Sequence, residues 1–138
     1  MIAYLDSSVL LRHVMGQPDS LRELRLVRTS MSSRILEVEC VRTLDRLRIE
    51  RAFPERRLAT LRQKVYELLT AMEIIEVTRG VLTRAAQPTP TSLGTLDAIH
   101  LSSALAWRER SGRNAIFATH DESLAIAAEA QGFRVLGV

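Results

Sequence analysis

"MIAYLDSSVLLRHV", residues 1–14, changes its hydrophobic period at Asp6. Met1 to Leu5 is an apolar run without alternation, the pattern of a short strand buried on both faces. Past Asp6, the apolar residues Val9, Leu10 and Val14 suit a helix. Ser7 or Ser8 is placed to cap it, and Gly16 and Pro18 close it. A carboxylate thus stands where a buried strand should end. One such acid carries little weight; further acids at similar positions along the chain would give it more.

Strands and helices go on alternating. Residues 19–27 set Leu21, Leu24 and Leu26 against Arg22, Glu23 and Arg25, a second short helix. "RTSMSS", residues 28–33, reads as an edge-like strand or a loop. From Ser33 to about Arg51 the residues Ile35, Leu36, Val38, Val41, Leu44 and Leu47 suit one helix face. Arg42, Asp45, Arg46, Arg48 and Glu50 suit the other. Pro54 opens a helix to about Met72 with Leu58, Leu61, Val65, Leu68 and Leu69 inward. "EIIEV" at 73–77 is a strand candidate, a helix comes next near 79–86, and "QPTPTSLGT" at 87–95 has loop composition. A helix from about Leu96 to Arg110 leads to "NAIFATHD", a strand ending at His120 or Asp121. An Ala-rich helix to Gln131 is stopped by Gly132, and "FRVLGV" makes the last strand. The expectation is one α/β domain over residues 1–138, with a short, mostly parallel central sheet flanked by helices and a helical hairpin at 33–72.

Composition narrows the function classes. A hydrophobic fraction of 46% and a charged fraction of 25% are ordinary for a globular protein. No apolar stretch approaches the roughly 20 residues of a membrane span. The start lacks a basic n-region and its apolar run is broken by Asp6, so a cytoplasmic address is expected. The lone cysteine, Cys40, excludes an internal disulfide and a Cys-rich zinc site, and its place beside Leu36 and Leu44 reads as core. Net charge is +3, and of the 19 basic residues only Lys64 is lysine. Arginine grips phosphate oxygens in pairs, which fits a polyanionic partner; genomic base composition explains the same bias. With aromatics at 4%, a base-stacking platform is not expected, and a nucleic acid would be held mainly by its backbone.

Four acids stand out. In parallel sheets, ligand sites lie beyond the carboxyl ends of the strands. Asp6 and Asp121 fall there, Asp97 falls in the opening turn of the helix after the 87–95 loop, and Glu39 interrupts an apolar stretch. Each has a simpler role by itself: Asp6 and Asp121 as N-caps, Asp97 as complement to a helix dipole, Glu39 as a solvated edge residue. If the sheet sets these segments side by side, like charges crowd one cleft and must protonate or share a cation. Oxygen ligands without His or Cys select Mg²⁺ or Mn²⁺. One or two such ions polarise a phosphodiester and lower the pKa of water.

The stretches "YLDSSVLL", "SSRILEVECVRTL", "LGTLDAIHLSSAL" and "ATHDESLAIAAEAQGFRVL" resemble a PIN domain, and more narrowly a VapC-type toxin of a bacterial toxin–antitoxin pair. They occur in that family's order and span nearly the whole chain. The resemblance places the family's acidic metal-binding and catalytic positions on Asp6, Glu39, Asp97 and Asp121. Its supporting hydroxyls fall on Ser8 and Thr119. Glu37 offers a competing frame for the second acid, and Glu122 an auxiliary ligand. The resemblance implies a Mg²⁺-dependent endoribonuclease, in which Mn²⁺ can substitute. It also implies a homodimer held inactive by a cognate VapB-type antitoxin whose tail enters the acidic cleft.

Other residues have two readings. His100 stands three positions after Asp97, as a general base or as a helix histidine bonding locally. His120 reads as structural, Trp107 as a core or interface anchor. Arg42, Arg46 and Arg48 either line an RNA phosphate path beside Glu39 or form ion pairs with Asp45 and Glu50 on a solvated face. The apolar faces at 33–72 suit either a partner-binding groove or the core. Two other function classes remain: a catalytically silent PIN-fold module that binds RNA or protein, and a phosphoacceptor receiver-like domain. The second needs a well-placed lysine, and Lys64 lies in a long helix.

Overall fold

The computed structural model describes residues 1–138. β1 (Ile2–Leu5) runs into α1 (Ser7–Val14) and a 3₁₀ turn (Arg22–Leu26), then β2 (Thr29–Ser33), α2 (Ile35–Arg51) and α3 (Glu55–Thr70). β3 (Glu73–Ile75), α4 (Arg79–Ala85), α5 (Thr95–Ser111), β4 (Ile116–Ala118), α6 (Glu122–Ala130) and β5 (Arg134–Leu136) complete the order. The strands form one sheet in the order β3-β2-β1-β4-β5, and every pairing is parallel. The chain therefore winds outward from β1 to β3, then crosses back past β1 to lay down β4 and β5. The reversal lies between β1 and β4, and a switch point of this kind opens a crevice beyond the strand ends.

Strand alternation assigns the two faces. Tyr4, Met31, Ile75 and Phe117 pack with Leu101, Leu105 and Trp107 of α5 and with Leu124 and Ala128 of α6. Ala3, Leu5 and Ala118 face the other way, onto Val9 of α1. A third cluster joins Leu10 and Val14 of α1 to Leu36, Cys40 and Leu44 of α2 and to Leu58, Leu61 and Val65 of α3. These buried stripes of the α2–α3 hairpin belong to the core, while Val38, Ile49 and Tyr66 of the same helices stay exposed. Burial, with the charges of Glu39 and Asp6, pushes the Cys40 thiol up to about 12, so this cysteine is an inert core residue. No helix is long and apolar enough to cross a membrane.

Four local readings change. The serine-rich stretch at 28–33 is an interior strand, β2, flanked by β1 and β3. Ser32 Oγ donates to the Leu5 carbonyl at 2.7 Å and the Ser33 N–H donates to Tyr4 Oη at 3.1 Å, while the buried Ser33 hydroxyl has no partner. Residues 19–27 yield only the 3₁₀ turn, none of whose residues is buried. Val38 points to solvent, because the buried stripe of α2 repeats every four residues through Leu36, Cys40 and Leu44. Asp6, rather than Ser7 or Ser8, caps α1, accepting the Ser7 N–H.

Ala52 ends α2 in the left-handed region, with φ 50°. A Cβ there costs about 1 kcal/mol relative to glycine. Ala52→Gly is exposed and contact-neutral, and is expected to raise the melting temperature by roughly 2–3 °C in a calorimetric scan.

Candidate functional site

Asp6 leaves the carboxyl end of β1 and is 3% exposed. A buried carboxylate without partners costs several kcal/mol, and this one is fully satisfied. Oδ1 accepts the Ser7 N–H at 2.7 Å; Oδ2 accepts Ser8 Oγ at 2.6 Å and Thr119 Oγ1 at 2.9 Å. Thr119 comes directly after β4, and its Oγ1 accepts the Asp121 N–H at 3.0 Å. Asp121 caps α6, its Oδ1 accepting the Leu124 N–H at 2.7 Å. The His120 N–H donates to Ser8 Oγ at 3.0 Å. One network thus stitches together the mouth of the crevice between β1 and β4, with Ser8 and Thr119 as its cross-links.

Glu39 enters from α2. Its Oε2 lies 2.5 Å from His100 Nε2, which is also 3.7 Å from Asp6 Oδ1. Ser7 Oγ reaches Glu39 Oε1 at 3.5 Å and Asp6 Oδ1 at 3.4 Å. Asp97 enters from the first turn of α5. Burial raises its carboxyl above the usual carboxylate range, the charges of Asp6, Asp121 and Glu39 push it the same way, and His100 opposes them. Asp97 therefore feels the other three acids, and the fold brings all four to one end of the sheet. The local roles are met too: Asp6 and Asp121 cap helices while facing the shared cleft.

Asp6, Glu39, Asp97 and Asp121 have no Arg or Lys ion-pair partner, although the chain is rich in arginine. The guanidinium pairs lie elsewhere, at Arg34–Glu76, Arg48–Asp45, Arg84–Glu109, Arg110–Glu73 and Arg12–Asp19. Arg46 pairs with Glu50 at 3.9 Å, while Arg42 stands exposed one turn beyond Glu39. No three His, Cys, Asp or Glu side chains are already drawn together as an ion cage. The donor chemistry, all carboxylate and hydroxyl oxygen, nevertheless fits a hard dication. Glu37 and Glu122 sit in the first turns of α2 and α6, and neither contributes to the shift at Asp97.

The histidines divide. His120 is structural, its Nδ1 2.6 Å from the Gly137 carbonyl oxygen. His100 does not bond within its own helix as the local reading expects. It is fully buried and joins Tyr4 of β1 to Glu39 of α2. In the sequence Tyr4 is only one residue of an apolar strand, and no spacing signal ties it to a residue 96 positions away. A groove of about 450 Å³ lined by Leu5, Leu10, His13, Leu21 and Leu24 holds none of the four acids. Lys64 lies exposed on α3, which disposes of the receiver-like reading.

Thr119→Val removes one donor from buried Asp6 and leaves the Asp121 N–H without its acceptor. The expected loss is about 1.5 kcal/mol, read as a lower urea midpoint at unchanged slope.

The PIN domain family model matches residues 3–130. No curated protein matches the chain. Among solved structures it is similar to a toxin–antitoxin complex from Klebsiella pneumoniae, with TM-score 0.65, 18% identity and coverage of 89% of this chain and 90% of that one. VapBC2 from Rickettsia felis bound to a DNA fragment from their promoter gives TM-score 0.66 at 17% identity, covering 99% and 98%. PAE2754 from Pyrobaculum aerophilum gives 0.63 at 15%, covering 98% and 89%. At such identities the structural likeness is one of fold. The match across almost the whole length, with a wholly parallel sheet that gathers acids at its switch point, makes this chain a member of the PIN domain family.

Proposed function

We propose that this protein is a Mg²⁺-dependent endoribonuclease acting in the cytoplasm as the toxin of a type II toxin–antitoxin pair, with Mn²⁺ able to replace Mg²⁺. PIN domains are generally nucleases that use divalent metal ions. Two of the similar structures are described as toxin–antitoxin or VapBC complexes, which supports a VapB-type antitoxin as partner. The observation that carries the reading is the crowding of four acids, from Asp6 to Asp121, with no arginine among them and with Asp97 raised by burial and, after it, by the other three. An arginine-rich chain that leaves such a cleft without a guanidinium keeps it for another cation.

Asp6, Glu39, Asp97 and Asp121 would hold the ion. When bound, a hard dication polarises the phosphodiester and lowers the pKa of water. The chain's residues supply the rest. Ser7, Ser8 and Thr119 fix Asp6, so its orientation is set before substrate arrives. Arg42, exposed beside Glu39, is the proposed contact for an RNA phosphate, and Arg46 a weaker one because Glu50 competes for it. A homodimer is the proposed resting assembly.

Purified protein incubated with total cellular RNA should create new RNA ends in Mg²⁺ and none in EDTA. Intact RNA in both, alongside retained binding of RNA or of a co-expressed protein, would establish the silent binding module instead.

A further inference from the structure

Beneath the acids lies a chain of hydrogen bonds that the proposed reaction does not by itself require. The Ser33 N–H of β2 donates to Tyr4 Oη at 3.1 Å, and Tyr4 Oη lies 2.7 Å from His100 Nδ1. His100 Nε2 then meets Glu39 Oε2 at 2.5 Å. Tyr4 and His100 are wholly shielded from water.

This geometry sets the order of donors. Tyr4 Oη accepts from Ser33 and keeps its own proton to donate, and His100 Nδ1 is the partner at hydrogen-bond distance. Burial holds the Tyr4 hydroxyl far above its ordinary pKa, so that proton stays in place. With Nδ1 accepting, the ring's hydrogen on Nε2 is directed at Glu39 Oε2. Otherwise Glu39 has only the long contact from Ser7 Oγ, at 3.5 Å.

We propose that His100 is a positioning residue: Tyr4 fixes it in the Nε2–H tautomer, and it aims the Glu39 carboxylate into the acidic cleft. This rests on the nuclease reading above. The choice of residue has a physical sense. The imidazole presents one directed N–H to the carboxylate and is itself held from behind by Tyr4. His100 also shares α5 with Asp97, so one helix carries an acid of the site and the clamp for another.

The test uses the full chain with ¹⁵N-labelled histidine, metal-free, near neutral pH. Long-range ¹⁵N–¹H spectra should show His100 carrying a hydrogen on Nε2; the Nδ1–H form, with Nε2 bare, overturns the proposal. Calorimetric Mg²⁺ titration should show His100→Ala binding roughly 10- to 100-fold more weakly, the usual cost of removing a partner behind a metal ligand. His100→Gln, whose amide offers both a donor and an acceptor, should recover to within about threefold of wild type. At saturating Mg²⁺ the RNA KM should move less than about twofold, since no substrate contact is lost. If His100→Ala does not fold, Tyr4→Phe carries the test, because it removes one hydroxyl and should mix the tautomers and weaken Mg²⁺ binding. Variants that bind Mg²⁺ as tightly as an active wild type overturn the positioning role alone. A folded wild type that neither binds Mg²⁺ nor cleaves RNA removes the nuclease reading, and His100's role with it.

Discussion

Asp97→Asn is expected to fold, to melt about 1–3 °C higher than wild type in metal-free buffer, and to lose RNA cleavage by at least roughly 10³-fold. The first two effects come from the same crowding. In the folded protein the Asp97 carboxyl is raised by burial and then by the charges of Asp6, Asp121 and Glu39, against a smaller opposing effect of His100, so ionising it works against folding. That cost is absent below the unfolded pKa and fully present above the folded one. Asparagine removes it at neutral pH and changes little in acid, so the two melting temperatures should converge as pH falls. Adding Mg²⁺ should reverse the ranking, stabilising wild type through mass action and leaving the variant where it was. A metal-free variant that melts lower than wild type at pH 7 would mean that Asp97 makes a favourable contact outweighing the crowding. A fully active variant would remove Asp97 from the site.

Gly137→Ala should produce the largest loss of stability, although residue 137 is remote in sequence from Asp6. Gly137 has φ 113°, and a Cβ built there would stand 2.2 Å from the Thr119 carbonyl oxygen. That oxygen belongs to the backbone and has no flexible end to move. Relief requires residues 137 and 138 to swing away, losing the contact between His120 Nδ1 and the Gly137 carbonyl and straining the Thr119 N–H bond to Leu136. The expected cost is about 3 kcal/mol, or roughly 8 °C in melting temperature. Thr119 also carries Oγ1, which binds Asp6 and receives the Asp121 N–H, so Mg²⁺ affinity should fall along with stability. A Gly137→Ala protein with wild-type melting would show that the end of β5 does not brace the mouth of the crevice.

The sequence made the architecture readable because its periods change cleanly. The run before Asp6, the inward leucines of α3 and the loop before α5 all lie where hydrophobic spacing and turn residues place them. It misled where polar side chains sit in buried backbone. Ser32 and Ser33 of β2 look like an edge, yet they are interior because Leu5 and Tyr4, on the neighbouring strand, accept their donors. The four acids were readable as candidates from strand-end placement and the family pattern. The hydrogen bonds that link Asp6 to Glu39 through Ser7 and to Asp121 through Thr119 were not, since these depend on which elements are neighbours. The clamp on Glu39 was invisible for the same reason: nothing local joins Tyr4, His100 and Glu39, and only the return of the chain across β1 sets them side by side.

That return has a consequence for synthesis. Every crossover but one connects strands that end up adjacent; the exception sends the chain from β3 past β2 and β1 to β4. A ribosome-bound chain that stops short of Thr119 has one flank of its founding strand bare, Asp6 without one of its hydroxyl donors, and no Asp121. No partial translation product of that kind can assemble the cleft. Whatever activity the acids confer is withheld until β4 and Asp121 have been made and docked beside β1.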